Sequence, residues 1–307
     1  MTAITGDART NVAFYTTVLG MRMVKKTVNQ DDVSAYHLFY ADAKGSPGTD
    51  LTFFDWPHTP ANLPGVPSIG PTGLRVASDQ ALQWWASRFD ELGVQHAEAT
   101  NEGHRSSMSF TDPEGQRLEL VVDGGVPGGE PWTASPVPPE FQVRGLFGVT
   151  LVSVQPQTTA DFLVQLLGLR ARTEHRTTDG GNLYSFEAGQ GGPGTEVRLE
   201  LPSRANPARQ GRGGVHHVAF RVPDPDEQVR WRERVEAAGL RPTPVIDRFY
   251  FRSVYFREPG GNLFEIATDG PGFTADEPLE QLGDHLALPP FLEPQRELIE
   301  AGLRPIG

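Results

Sequence analysis

The chain has 307 residues, of which 37% are hydrophobic and 21% are charged, which is enough for two ordinary globular cores. Its 39 acidic residues outnumber 27 Lys and Arg residues, and the net charge of -12 disfavours nucleic acid as a partner. There is no run of 18 apolar residues, no signal-peptide pattern and no cysteine, so we expect a cytoplasmic protein without membrane partners, disulfides or thiolate metal sites.

The amino end predicts a strand, a helix and a second strand in succession. Thr2 to Thr5 forms the first strand, and a helix with one apolar face ends at Gly20, a residue type common at helix C-termini. Met21 to Thr27 then returns to an extended pattern. The same plan recurs at Val149 to Val154, followed by a helix that ends at Gly168.

A second kind of unit has a longer helix and, further on, a tight turn into a strand. In one copy the helix ends at Gly93 and the strand is Arg117 to Asp123; in the other the helix ends at Gly239 and the strand is Leu263 to Asp269. The two glycines lie 146 residues apart, against 148 for the glycines of the first kind of unit. This nearly constant register predicts an internal duplication that produces four units.

The duplication divides the chain into two halves. We expect one pair of units in residues 1–126 and a second pair, with the functional site, in residues 143–270. The Pro- and Gly-rich stretch 127–142 is typical of a linker between cores. Residues 271–307 form a tail in which Glu293 to Leu303 is predicted to be helical.

Several short segments carry a family resemblance. They are Thr2–Asp7, Val24–Asn29, Gly45–Thr49, Leu51–Phe54 and Leu288–Pro294. With the repeats, they resemble the vicinal oxygen chelate superfamily of glyoxalases, bleomycin resistance proteins and extradiol dioxygenases, and within it the hydroquinone-type ring-cleaving dioxygenases. The resemblance runs nearly end to end. It implies an α+β fold of four βαβββ modules, which form two cupped mixed-sheet domains around a metal.

Two side chains are candidate metal ligands. His216 and His217 are adjacent within a predicted strand, where alternation places them on opposite faces, and His217 shares a face with Ala219 that should line the cup. Glu265 lies in an otherwise apolar strand, where burying an unpaired carboxylate would cost several kcal/mol, so it needs a cation. The resemblance implies that His217 and Glu265 bind iron(II), with manganese(II) as the alternative metal.

Other interpretations of these ligands stay open. Neighbouring polar groups could satisfy His217 and Glu265, as they must for Glu119, which occupies the matching place in the first half without a histidine pair. The family's third ligand, a histidine, would fall immediately ahead of Met1. Either the chain as given starts late, which we favour, or the ligand is lost, or His37 in a predicted strand substitutes for it.

The resemblance also implies a set of pocket residues, namely Thr2, His216, Arg248 and Tyr255. Thr2, Arg248 and Tyr255 would bind the substrate, Arg248 by holding an anionic phenolate, and Tyr255 or His216 would transfer protons. Arg248 and Tyr255 lie in Asp247 to Phe256, which we interpret as one strand. The alternatives are that Arg248 pairs with an acidic residue and that Tyr255 belongs to the core.

The remaining histidines are expected at the surface, in loops or helices. They are His58, His96, His104, His175 and His285.

Three functions from different classes are compatible with these features. The favoured one is an iron(II)-dependent, extradiol-type ring-cleaving dioxygenase whose partners are O2 and a hydroquinone or catechol. A metal-free protein that binds or sequesters an aromatic compound is the second, although sequestration would not require His217, Glu265 and Tyr255 together. A glyoxalase-type lyase is the third. A homo-oligomer is left open.

Overall fold

The computed structural model describes residues 1–102, 105–153, 155–177, 180–204 and 206–306. His104 and Val154, which entered the predictions above, lie outside these ranges. The described chain contains four modules, each made of one strand, one helix and three further strands, so the predicted βαβββ repeat is confirmed. Across the described ranges, no helix combines the length and apolarity needed to cross a membrane.

The first and third modules each have a short helix that continues as a π-helical turn. The first module comprises β1 (Thr2–Thr5), α1 (Ala8–Val12), a π-helix (Ala13–Val18), β2 (Arg22–Asn29), β3 (Asp32–Ala41) and β4 (Leu51–Asp55). Residues 68–122 and 214–268 form the second and fourth modules, with longer helices. The second comprises β5 (Ser68–Val76), α2 (Asp79–Leu92), β6 (Thr100–Glu102), β7 (Arg105–Thr111) and β8 (Arg117–Val122).

The third and fourth modules repeat these two plans. The third comprises β9 (Leu146–Val152), α3 (Pro156–Asp161), a π-helix (Phe162–Leu166), β10 (Arg170–Arg176), β11 (Asn182–Glu187) and β12 (Glu196–Leu201). The fourth comprises β13 (Gly214–Val222), α4 (Pro225–Ala237), β14 (Ile246–Asp247), β15 (Arg252–Arg257) and β16 (Leu263–Thr268). The tail contains 3₁₀ turns at Phe273–Ala275, Leu279–Gln281 and Glu293–Gln295 and the helix α5 (Arg296–Gly302).

Two eight-stranded mixed sheets organise the fold, and they do not follow the two halves of the chain. One sheet has the order β14-β15-β16-β13-β1-β4-β3-β2, and the other has β10-β11-β12-β9-β5-β8-β7-β6. The first module therefore joins the fourth, and the second joins the third, through the antiparallel pairs β1–β13 and β5–β9. We expected consecutive modules to pair. That grouping is wrong, because β1 forms its antiparallel backbone hydrogen bonds with β13 of the fourth module. The residue boundaries of the two halves and the linker stay predictions.

Helix α2 illustrates how the predicted apolar faces reach the core. Its N-terminal N–H groups are capped by Ser78, and it ends at Gly93, whose φ of +69° suits a residue without a Cβ. Leu82, Trp85 and Phe89 are buried, whereas Leu92 at the end of the helix is 48% exposed. The Trp85 indole donates to the backbone carbonyl of Phe141, within the stretch 127–142. Segment 124–145, which lacks helices and strands, is therefore packed against the core.

Some local predictions differ from the structure. The segment 247–256 is not one strand: it is interrupted between β14 and β15, where Phe249 adopts a φ of +67° that an extended strand cannot accommodate. His175 lies on an exposed strand, β10, instead of in a loop or helix. The tail helix is shorter than expected, because Glu293–Gln295 forms a 3₁₀ turn before α5.

Candidate active site

Strand β13 carries the histidine pair at the centre of its sheet. His217 is only 2% exposed, and its ring lies 5.1 Å from that of His216, with the two Nδ1 atoms 2.8 Å apart. The predicted separation of the pair to opposite faces is therefore wrong. The pairing with β1 explains it: Thr2 faces His217 while Ala3 faces Val215, so His216 is the extra residue of a β-bulge.

His216 lies in an aromatic environment. Its ring centroid is 5.5 Å from that of Phe54 and 5.5 Å from that of Trp56. Burial, together with neighbouring His217, lowers the pKa of His216 to about 3, so its imidazole is neutral at neutral pH.

Glu265 faces His217 from the adjacent strand β16. Its Oε2 lies 2.8 Å from Nε2 of His217, and its Oε1 accepts a hydrogen bond from the hydroxyl of Ser253 on β15. Burial by itself would raise the pKa of Glu265, but the His217 imidazole and the Ser253 hydroxyl stabilise the carboxylate and hold this pKa below its usual value. Sequence reasoning missed Ser253, although it lies two residues before Tyr255 and hence on the same face of β15.

Glu119 occupies the place of Glu265 in the second module but has a different partner. Its carboxylate accepts a hydrogen bond of 2.6 Å from the guanidinium of Arg198 on β12. An arginine thus neutralises the first carboxylate, whereas an imidazole faces the second. The interpretation that a neighbouring polar group satisfies Glu119 is therefore confirmed. The two duplicated glutamates thus have different partners in the two sheets.

Tyr255 packs edge-on against His217, with ring centroids 5.4 Å apart and an interplanar angle of 79°. Burial and the nearby Glu265 carboxylate raise the pKa of Tyr255. Its phenol therefore stays protonated at neutral pH.

Arg248 takes a more peripheral position than expected. Its guanidinium forms two hydrogen bonds, of 3.0 and 2.7 Å, to the carboxylate of Asp31, and it lies 5.9 Å from the ring centroid of Tyr255. Arg248 lines a small cavity of about 30 Å³ together with His37 and Tyr255. The alternative that it pairs with an acidic residue is thus observed, with Asp31 of the β2–β3 turn as the partner.

A larger cavity of about 450 Å³ brings most of the predicted residues together. Thr2, His37, His217, Tyr255 and Glu265 all line it, along with apolar and aromatic side chains from both sheets. A concave, mostly apolar space with a few convergent polar groups is typical of a small-molecule site. The sequence placed four of these five residues in the pocket and offered His37 only as a substitute ligand.

The amino terminus also lies at this cavity. Met1 lines the cavity and is 7% exposed, and its amino group donates to the backbone carbonyl of Asp50 over 3.0 Å. Burial lowers the pKa of this amino group, while the carboxylates of Asp50 and Glu265 oppose the shift. The amino group of Met1 is therefore held at the edge of the cavity.

No third side chain completes a metal cluster among the described residues. Those residues contain no group of three or more His, Asp or Glu side chains that could hold a metal ion. His37, the suggested substitute, instead bonds the hydroxyl of Thr52 through its Nε2 at 3.1 Å. The described chain therefore offers one imidazole and one carboxylate as a pair.

Of the other histidines, those in the described part of the chain do not line this cavity. His58, His175 and His285 are exposed, and His96 is partly buried beside Asp90, with 3.2 Å between its Nε2 and the carboxylate. His104 lies outside the described residues.

Comparison with known proteins decides the family. The model of the glyoxalase/bleomycin resistance protein/dioxygenase superfamily matches residues 1–120 and 145–266. The chain belongs to this superfamily. The two matched ranges coincide with the two pairs of modules along the sequence, so both halves of the duplication carry the superfamily's pattern.

Relatives within the superfamily match this member over nearly its whole length. MhqA of Bacillus subtilis, provisionally named a ring-cleaving dioxygenase, is 43% identical over 100% of this chain and 97% of its own. Chlorohydroquinone/hydroquinone 1,2-dioxygenase of Sphingobium indicum is 32% identical over 95% of this chain and 91% of its own. A crystal structure of a Bacillus subtilis protein provisionally named a dioxygenase superposes with a TM-score of 0.89 at 37% identity, covering 99% of this chain and 95% of that one.

Proposed function

We propose that this superfamily member is an iron(II)-dependent ring-cleaving dioxygenase that inserts O2 into a hydroquinone- or catechol-type aromatic compound, with manganese(II) as the alternative metal. The observation that carries the proposal is the buried contact of 2.8 Å between His217 and Glu265 in a cavity large enough for one aromatic ring. The names of its relatives, which act on aromatic rings, point in the same direction.

The donor pair fits part of a metal site. His217 Nε2 and Glu265 Oε2 lie 2.8 Å apart, so both could bind one metal ion between them. An imidazole and a carboxylate are two members of the two-histidine, one-carboxylate set that oxygen-activating iron(II) uses. A bound iron(II) ion would supply open coordination positions and electron transfer between the aromatic ring and O2.

The chain's own residues would bind and orient the substrate. Thr2 and Tyr255 line the cavity, where the hydroxyl group of each would hydrogen-bond a phenolic oxygen. Tyr255 and His216 are the candidates for moving protons, since both lie against the His217 ring. Arg248 would influence the substrate through Tyr255 and not by direct contact, because Asp31 already binds its guanidinium.

The apolar lining has its own role. Phe39 and Phe54 from one sheet and Val149 and Val197 from the other line the cavity around the polar groups. Their side chains exclude water and provide flat surfaces for an aromatic ring. Hydrogen bonds from the protein to the substrate, and interactions with charge that develops on it, are therefore stronger here than in water.

Oxygen uptake tests the proposal directly. The protein would be loaded with iron(II) under anaerobic conditions, given hydroquinone and then oxygen, while dissolved O2 and the aromatic absorption band are followed. We expect one O2 to be consumed for each ring lost. The same assay on a chain extended upstream by Gly-x-His-His measures the contribution of the third ligand that the resemblance implies.

The alternatives give distinct results. Hydroquinone binding without oxygen uptake in either version would favour a sequestering protein, and turnover of a thiol adduct without oxygen uptake would favour a lyase. Failure of both versions to hold iron(II) or consume oxygen would overturn the proposal.

A further inference from the structure

Three neighbouring strands place a histidine and two threonines in one line of hydrogen bonds. Nε2 of His37 on β3 lies 3.1 Å from the hydroxyl oxygen of Thr52 on β4, and the Thr52 hydroxyl donates to that of Thr2 on β1 over 2.9 Å. The sheet order β1-β4-β3 and the direct pairing of Thr2 with Thr52 hold the three groups in register. All three residues line the large cavity.

The number of available protons fixes the direction of this chain. A hydroxyl group has one proton, and that of Thr52 is given to Thr2, so Thr52 must accept the proton of His37 Nε2. Burial, together with nearby basic groups such as Arg248, lowers the pKa of His37 well below its usual value, so the ring is neutral. Because Thr52 accepts from Nε2, the single ring proton is on that atom. The oxygen of Thr2 is then an acceptor from Thr52, and its own proton points elsewhere.

Thr2 lines the cavity, so its remaining hydroxyl proton is available to a bound ligand. Among the described residues, Thr2 Oγ1 accepts from Thr52 and donates to no protein group. Thr2 is only 5% exposed. A buried hydroxyl that gains its acceptor inside a binding cavity favours a ligand oxygen with lone pairs or negative charge. Hydrogen bonds in a chain also polarise one another, so Thr52 and His37 strengthen Thr2 as a donor.

We propose that His37 and Thr52 are positioning residues that hold the Thr2 hydroxyl as a one-way hydrogen-bond donor to a phenolic or phenolate oxygen of the bound aromatic ligand. The identity of the ligand rests on the proposed function, whereas the direction of the chain rests on the contacts alone. His37 thus serves the site through Thr2 and is not a metal ligand.

Packing around His37 supports a fixed orientation of its ring. Its centroid lies 4.0 Å from that of Phe39 and 4.5 Å from that of Phe54. Rings on two sides restrict rotation, so Nε2 stays directed at Thr52. A positioning role requires this rigidity, because the Thr2 proton is directed only while the whole chain is intact.

The first test is binding of 4-nitrophenol, which lacks the second hydroxyl group of a hydroquinone or catechol and whose phenolate form absorbs visible light. Thr52→Val keeps the shape and removes the relay, so we expect its affinity for the phenolate to fall about tenfold. Thr52→Ser retains the hydroxyl and should stay within about twofold of the wild type. Thr150→Val, the same change at a buried strand threonine of the other sheet, controls for general effects of the substitution.

The second test reads the proton position without any ligand. Nitrogen-15 spectra of histidine-labelled protein, with the His37 signals assigned from a His37→Gln variant, should give a neutral ring protonated on Nε2. Protonation of Nδ1 instead, or equal binding by the wild type and Thr52→Val, would overturn the inference. Weaker phenolate binding by Thr52→Val in a protein that consumes no oxygen would support the relay while the proposed function fails, so the two failures are distinguishable.

Discussion

The side chains of His217 and Glu265 leave the same face of one sheet and meet at 2.8 Å, although 48 residues separate them in the chain. Glu265 is paired with Ala219 on β13, and His217 lies two residues before Ala219. Because side chains alternate along a strand, both groups point into the cavity. The parallel pairing of β13 with β16 therefore creates the central contact of the site.

Replacing Glu265 tests its part in metal binding. For Glu265→Gln we expect iron(II) affinity to fall at least about tenfold and hydroquinone-dependent oxygen uptake at least about a hundredfold, since loss of even an outer-shell partner reduces either by 10- to 100-fold. Isothermal titration with iron(II) and an oxygen electrode measure the two effects. Glu119→Gln is the matched control, because Glu119 occupies the duplicated position and pairs with Arg198. Equal losses in the two variants would contradict the assignment.

Tyr255→Phe separates proton transfer from binding. The variant keeps the ring that packs on His217 and loses only the hydroxyl, so we expect kcat for hydroquinone to fall about a hundredfold with little change in KM. Steady-state oxygen uptake gives both constants. Tyr184→Phe, on a strand of the other sheet, should leave kcat unchanged. A rise in KM at constant kcat would instead show that the Tyr255 hydroxyl binds the substrate without transferring a proton.

Lys25 anchors the tail to the first module. Its ammonium group is fully buried, forms ion pairs with Asp276 and Glu277, and lies 4.7 Å from the ring centroid of Tyr250. Lys25→Met leaves two carboxylates without their cation, so we expect the free energy of unfolding to fall by about 3 to 5 kcal/mol. Urea denaturation measures this loss. Lys26→Met, at the adjacent and less buried lysine, should change stability by less than about 1 kcal/mol.

Asp112 should make stability depend on pH in the acidic range. Burial raises the pKa of Asp112 to about 6, while the hydroxyl of Tyr15 donates to its carboxylate over 3.1 Å. The folded state therefore holds a proton that the unfolded state has already released between about pH 4 and pH 6. This group's contribution to stability is complete below about pH 4 and is lost as the pH rises through about 6.

The variant Asp112→Asn keeps the neutral shape and removes this titration. Between pH 4 and pH 7 the wild type should lose about 2 to 3 kcal/mol of unfolding free energy relative to Asp112→Asn. Urea melts at several pH values give this difference. A difference that is flat across the range would show that Asp112 titrates normally.

The sequence predicted the repeated units because local patterns carry them. The glycines that end the helices, such as Gly93 with its φ of +69°, are required by the local backbone and recur at nearly constant spacing. The face of Glu265 also followed from strand alternation within a single segment. These features depend on neighbours a few residues away, which is why a linear pattern contains them.

The contacts between distant segments were not predictable in the same way. Ser253 beside Glu265, Asp31 beside Arg248 and the bulge at His216 each depend on which strand lies next to which. Alternation alone sent the two histidines apart, because a bulge is a property of the paired strands and not of one strand.

The sequence by itself determined four modules and their order, since periodicity and turn residues act locally. The family resemblance assigned Thr2 and Tyr255 to the pocket. Only the tertiary structure decided that the first module pairs with the fourth and the second with the third. Strand edges pair through backbone hydrogen bonds that are common to all residues, so the choice of partner depends on how the whole core packs. That choice brings Thr2 beside His217, and both residues line the cavity.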